Sequence, residues 1–139
     1  MSEKLISQGA EASIFLNEDV NQIIKRRIKK SYRIAILDDR IRKQRTRSEA
    51  KLIEKSFKVI PVPQVKKIDE IKKEIVMDFI DGKRLSTNLD SLPLSKQKAI
   101  CRQVGENIAK LHDADIIHGD LTTSNMILVE DKEKDGKNY

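Results

Sequence analysis

The sequence predicts an α+β fold in which five antiparallel strands and one long basic helix fill residues 1–80, and the beginning of a helical portion fills residues 81–139. Three observations predict it. Short β-type apolar runs recur through residues 5–28 and again through residues 65–80. Between them lies a stretch with helical spacing, stopped by Pro61-Val62-Pro63. Beyond Ser95 a second helical pattern leads into the apolar pair Ile116-Ile117.

At 139 residues the chain can bury one sizeable core or two small lobes. Its 28 Lys and Arg against 22 Asp and Glu give a net charge of +6, which favours an anionic partner such as a nucleotide or RNA. The single cysteine, Cys101, excludes an internal disulfide framework and suits a reducing compartment, so the cytoplasm is expected. No apolar stretch approaches the roughly 20 residues that span a bilayer, and the first residues are too polar for a signal peptide, so no membrane partner is expected. With no Trp, two Tyr and three Phe, the chain lacks a stacking platform for single-stranded nucleic acid.

Taken in order, residues 5–6, 12–16 and 22–25 are expected to form three antiparallel strands. The first turn, Gln8-Gly9-Ala10-Glu11-Ala12, has small residues in the manner of a phosphate-covering loop but only one glycine, and locally it reads equally as an ordinary hairpin turn. Lys25 closes the run Ile23-Ile24-Lys25, as a phosphate-contacting strand lysine or a solvated one. After Leu37 the helical spacing puts Ile41, Arg45, Ser48 and Leu52 on one face. Glu49 is a rare acid in this helix and either pairs with Lys25 or makes surface pairs with residues such as Arg45. The arginines at 40, 42, 45 and 47 form either a solvated face or a contact for RNA phosphates. Residues 65–68 and 74–80 predict a hairpin, its second strand running through Met77-Asp78-Phe79-Ile80 into Asp81-Gly82. After a polar connection, Ser95 is the expected cap of a helix whose apolar face is Ile100, Val104, Ile108 and Leu111.

The helix delivers the chain to His118-Gly119-Asp120-Leu121-Thr122-Thr123-Ser124-Asn125, followed by the strand-like run Met126-Ile127-Leu128-Val129. Phosphoryl transfer asks a protein chiefly to position groups and neutralise charge. One carboxylate accepts the hydrogen bond of the attacking hydroxyl, and an amide oxygen five residues on reaches a metal that bridges the phosphates. Asp120 and Asn125 have that spacing, and the octet nearly matches the protein-kinase pattern H-R-D-L-x-x-x-N with Gly119 in place of Arg. His112 reads as a helix-terminus histidine and His118 as a brace for the loop backbone.

Together, Gln8-Gly9-Ala10-Glu11-Ala12, Ile24-Lys25, Arg47-Ser48-Glu49-Ala50, the run from Ile75 to Gly82 and the octet resemble one family, the small atypical, RIO-like kinase subunit of the KEOPS (EKC) complex. The resemblance covers essentially the whole chain. It implies a protein-kinase-like fold with the N-lobe in residues 1–80, then the hinge exit and the start of the C-lobe in residues 81–139. It implies ATP and magnesium as cofactors, Ser/Thr protein kinase and ATPase activity on itself and on other proteins, and docking on the threonylcarbamoyl-transferase subunit and other KEOPS subunits that make N6-threonylcarbamoyladenosine on tRNA, with tRNA itself a candidate partner of the basic helix. By matching position, Asp120 would be the catalytic base and Asn125 a metal ligand. Lys25 and Glu49 would position the phosphates under Gln8, Gly9, Ala10 and Glu11, while Met77, Asp78 and Ile80 would meet adenine.

The sequence departs from the family pattern at its end, where the strand and Asp-Phe-Gly motif expected after the octet do not follow before Tyr139. The expectation is therefore a fragment with impaired activity, or a non-catalytic docking or tRNA-binding module of the same complex.

Overall fold

The computed structural model describes residues 3–117 and 126–129. The chain forms two compact units, Met1–Glu54 with Pro63–Phe79, and Lys55–Val62 with Ile80–Tyr139.

The first unit is a five-stranded antiparallel sheet in the order β1-β2-β3-β5-β4, with β1 at Glu3–Gln8, β2 at Ala12–Asn17, β3 at Gln22–Arg27, β4 at Val65–Asp69 and β5 at Glu74–Asp78. The turns follow from local chemistry. Asn17 Oδ1 accepts the Asp19 N–H at 3.1 Å, and Asn21 takes the left-handed conformation (φ 53°) that asparagine tolerates. Asp69 Oδ1 accepts the N–H groups of Ile71 and Lys72, an Asx turn that folds β4 back into β5. That hydrogen bonding, led by the Lys72 N–H, holds the Asp69 carboxyl below its ordinary pKa. β5 ends at Asp78, two residues before the expected end of this strand.

Helix α1 runs Ala35–Phe57 and lies on the sheet through Ala50 and Ile53, which join Ile23, Val65, Ile75 and Met77 in the unit's core. The expected face of Ile41, Arg45, Ser48 and Leu52 is corrected: Asp38, Thr46, Ala50 and Ser56 are the buried positions, while Arg45 and Ser48 are exposed. At 100° per residue this turns the inward face by roughly a quarter to a third of a revolution. The small Ala50 lets the helix approach the sheet, and the buried polar groups are satisfied. Thr46 Oγ1 donates to the Arg42 carbonyl at 2.7 Å, and Asp38 accepts the Lys30 N–H at 3.1 Å and Arg42 Nε at 2.7 Å. Hydrophobic spacing cannot find a face built this way.

The second unit packs Leu85, Ile100 and Leu128 with Leu89, Leu92, Val104 and Met126. The expected polar connection after Gly82 holds regular structure instead: β6 at Lys83–Arg84, a one-turn helix α2 at Leu85–Asn88 and a 3-10 turn at Leu89–Ser91. Leu85 is almost wholly buried and anchors the core. Helix α3 runs Leu94–Asp113 with Pro93 as its N-cap and no side-chain cap bond. Ser95 is therefore not the cap, and Gln97 Nε2 instead ties this end down by donating to the Leu92 carbonyl at 2.9 Å. β7 at Ile127–Leu128 pairs antiparallel with β6. Among the described residues, no helix is long and apolar enough to cross a membrane.

Candidate functional site

Strand β3 supplies the basic half of the site. Antiparallel pairing sets Lys25 opposite Ile14 of β2 and Ile75 of β5. Alternation along the strand puts Ile23, Lys25 and Arg27 on one face. Ile23 packs into the core beneath α1, so the two cations that follow it point toward the same helix. Arg26 faces the other way, stacked 4.7 Å over Phe15 and paired with Glu74.

The acidic half comes from α1. Glu49 precedes the buried Ala50 and is carried on the inward side, where it bridges both cations: Oε1 accepts from Lys25 Nζ, and Oε2 accepts from Arg27 Nη2 at 3.1 Å. Arg27 Nη2 also lies 3.5 Å from the Arg45 carbonyl, and its buried Nε has no hydrogen-bond partner among the described groups. One carboxylate thus faces two cations with one guanidinium donor left over. That arrangement suits an added anion, because unmatched positive charge in a half-buried setting attracts phosphate strongly. Arg27 was missed in the sequence, although its position two residues beyond Lys25 on an alternating strand signals a shared face.

The turn after β1 is fixed by its own backbone, Gly9 N–H to the Ala12 carbonyl at 2.9 Å, and by the Ile28 N–H donating to the Glu11 carbonyl at 2.9 Å. Gln8 ends β1 opposite Ser13. Lys30 Nζ donates to the Ala10 carbonyl, and the Glu11 carboxylate lies 3.4 Å from Arg45 Nη1 and 4.0 Å from Lys30 Nζ. A side chain at position 9 would meet only the Ala12 carbonyl at 3.8 Å, so space alone does not require this glycine.

Met77 is buried in the core with Ala50 and Ile75. Asp78 donates its N–H to the Gln64 carbonyl at 3.1 Å, so that N–H is not what it could offer a base, and its carboxylate lies 3.6 Å from Lys66. Ile80 is half-buried in the second unit.

Asp120 and Asn125 lie outside the described residues, but both flanks of their segment are fixed. On the upstream side α3 ends at Asp113 with Ala114 as its C-cap, Asp115 takes a left-handed turn (φ 58°), and the Ile116 N–H returns to the Leu111 carbonyl at 2.8 Å. On the downstream side the Met126 carbonyl accepts the Leu85 N–H at 3.0 Å, and β7 pairs with β6. This pairing demands Gly82, where a Cβ would come within 2.5 Å of the Leu128 carbonyl oxygen. Among the described residues no three His, Cys, Asp or Glu side chains gather as a metal site.

The RIO domain family matches residues 15–134. A KEOPS complex subunit Bud32 from Pyrococcus abyssi is 46% identical over 138 residues, covering 93% of this chain and 63% of that protein. Probable bifunctional tRNA threonylcarbamoyladenosine biosynthesis proteins are 41% identical over 133 residues in Methanobrevibacter smithii and 43% identical over 139 residues in Methanocaldococcus jannaschii. They cover 92% and 93% of this chain but 23% and 24% of their own lengths. The chain thus spans under two thirds of the Bud32 relative and about a quarter of the bifunctional ones. Among solved structures, the Mycobacterium tuberculosis PknI kinase domain superposes with a TM-score of 0.66 at 18% identity, over 97% of this chain and 55% of that one. At that identity the likeness shows the protein-kinase-like fold alone.

Proposed function

The chain belongs to the RIO domain family, and on that premise we propose that it is an ATP-dependent Ser/Thr protein kinase and ATPase subunit of a KEOPS-type complex, supporting N6-threonylcarbamoyladenosine modification of tRNA. The observation that carries the reading is the bridge from Glu49 to Lys25 and Arg27. Phosphoryl transfer depends on oriented cations around a polyphosphate, and a carboxylate that fixes a lysine on a neighbouring strand supplies one of them.

In this reading Lys25, set by Glu49, meets the phosphates, and Gln8, Gly9, Ala10 and Glu11 cover them. Met77, Asp78 and Ile80 border the adenine. Asp120 accepts the proton of the attacking hydroxyl, and Asn125 would hold magnesium, which would supply positive charge at the phosphates. The two cations Lys25 and Arg27 on the single Glu49 carboxylate fit such an anion. Partners by this reading are the threonylcarbamoyl-transferase subunit and other KEOPS subunits, with Ser/Thr side chains of proteins as phosphate acceptors, in the cytoplasm. Transfer of label from γ-labelled ATP to the chain or to a partner subunit, abolished by Asp120→Asn, is the result expected. Equal transfer by the Asp120→Asn variant would overturn it.

A second reading, tRNA contact through α1, is favoured by a shallow depression of about 450 Å³ lined by Arg40, Lys43, Gln44, Arg47, Ser48 and Lys51. Of the four arginines singled out in the sequence, Arg40 and Arg47 line it, while Arg42 and Arg45 do not. Arg42 is held by Asp38 and Arg45 lies against Glu11, whereas Arg40 and Lys51 pair with no described carboxylate. Reversing Arg40 and Lys51 to Glu should lower the slope of log affinity for tRNA against log salt by about two. An unchanged slope returns this face to plain solvation.

A further inference from the structure

Helix α1 carries Glu49, yet apolar packing holds only its second half. Ala50 and Ile53 sit on the core, whereas Ile36 and Leu37 near its start are exposed. Ion pairs hold the stretch from Asp38 to Arg47, and several of them come from one place, the turn between β4 and β5. Glu70 grips Arg47 at two points, accepting from Nε at Oε1 and from Nη2 at Oε2 (2.9 Å), with Lys43 Nζ 3.9 Å from Oε2.

From the same turn Lys73, its side chain only 5% exposed, reaches Asp39 at 2.8 Å. Its left-handed backbone (φ 59°) is unusual for a lysine, and its carbonyl accepts the Arg27 N–H at 3.1 Å. Lys73 therefore ties the start of α1 to the end of β3, the strand whose Lys25 and Arg27 meet Glu49. Each exposed ion pair contributes little by itself, but several on one Asx-braced turn act together. Arg47 stands two residues before Glu49 on a stiff helix, so a shift at one is a shift at the other.

We propose that the β4–β5 turn is a clamp on α1, and that Glu70 and Lys73 are positioning residues that keep the Glu49 carboxylate on Lys25 and so set the affinity for a nucleotide polyphosphate. The nucleotide half rests on the reading under Proposed function. The clamp itself does not.

The test uses the full chain. Glu70→Lys sets a third cation against Arg47 and Lys43. Lys25 is then labelled without nucleotide by a limiting amine-acylating ester, quantified by peptide mass spectrometry against the exposed Lys51. ADP affinity is measured in parallel. Release from Glu49 should raise Lys25 labelling about threefold and weaken ADP by a similar factor, the scale of an ion pair freed near the surface. Restoring opposite charge, with Glu70→Arg and Arg47→Glu together, should bring both back toward wild type, which general destabilisation would not.

Unchanged Lys25 labelling in folded Glu70→Lys overturns the proposal, as does a folded swap variant that fails to recover. If Glu70→Lys does not fold, Glu70→Gln serves, with a smaller rise in labelling expected and no rise overturning the clamp. A rise in labelling in a chain whose wild type ignores ADP would uphold the clamp and sink the nucleotide reading alone.

Discussion

Replacing Glu49 by Gln tests how much the site depends on one carboxylate. The change keeps the side chain's shape and removes the charge that faces Lys25 and Arg27, whose side chains are 30% and 15% exposed beside a 20% exposed Glu49. Fully exposed pairs are worth about 0–1 kcal/mol, and breaking a buried pair costs about 3–5 kcal/mol. Exposure of this order sits between those limits, so the expected loss is about 1–3 kcal/mol, most of it from two cations left side by side. For a chain of this size that lowers Tm by about 3–10 °C. Thermal unfolding followed by circular dichroism reads it directly. The same variant should gain less Tm from added pyrophosphate than wild type does, since a Lys25 no longer set by Glu49 meets the phosphates poorly. A Glu49→Gln chain that melts with wild type, and gains as much from pyrophosphate, would refute the view that Glu49 sets this pair.

Two further outcomes follow from the structure. Gly82→Ala drives a methyl against the Leu128 carbonyl and Ile127 Cγ2, so β6 and β7 must part; the expected cost is about 1–3 kcal/mol, and a variant as stable as wild type by chemical denaturation would contradict this packing. The carboxyls of Asp38, Asp39 and Glu70 all lie below their ordinary values. For Asp38 burial pushes upward but is outweighed by the Lys30 N–H and by Arg42 and Arg33, while for Asp39 and Glu70 the bonds from Lys73 and Arg47 lead. Acids depressed in the folded state contribute fully above their unfolded values of 3.8 and 4.5 and lose that contribution as pH falls through the lower folded ones. Stability should therefore drop below about pH 4.5, less steeply in the Asp39→Asn, Glu70→Gln double variant; equal steepness would show that these groups do not drive the loss.

The five strands were legible because β1 to β5 are marked by short apolar runs, a local signal. The setting of α1 was not. Its inward face is built from Asp38, Thr46 and Ala50, and hydrophobicity points instead to Ile41 and Leu52. Only the tertiary partners Lys30, Arg33 and Arg42 make a buried Asp38 tolerable, and no spacing rule reveals them. Strands of two residues, such as β6 and β7, are shorter than any periodicity can register, and the need for Gly82 comes from Leu128, 46 positions away. Pairing of Glu49 with Lys25 was one of two alternatives open in the sequence, and the structure shows it. Arg27, the second partner, was hidden among many other basic residues.

Isothermal titration of Mg-ATP into the wild-type chain and into Lys25→Ala tests the central claim most directly, that the Lys25 and Glu49 pair holds a nucleotide polyphosphate. Loss of a charge-assisted contact to phosphate is worth about 1.5–3 kcal/mol, so Lys25→Ala should weaken binding about tenfold or more while the chain stays folded. Equal affinity in the two proteins, or a wild-type chain that does not take up the nucleotide, would contradict the account.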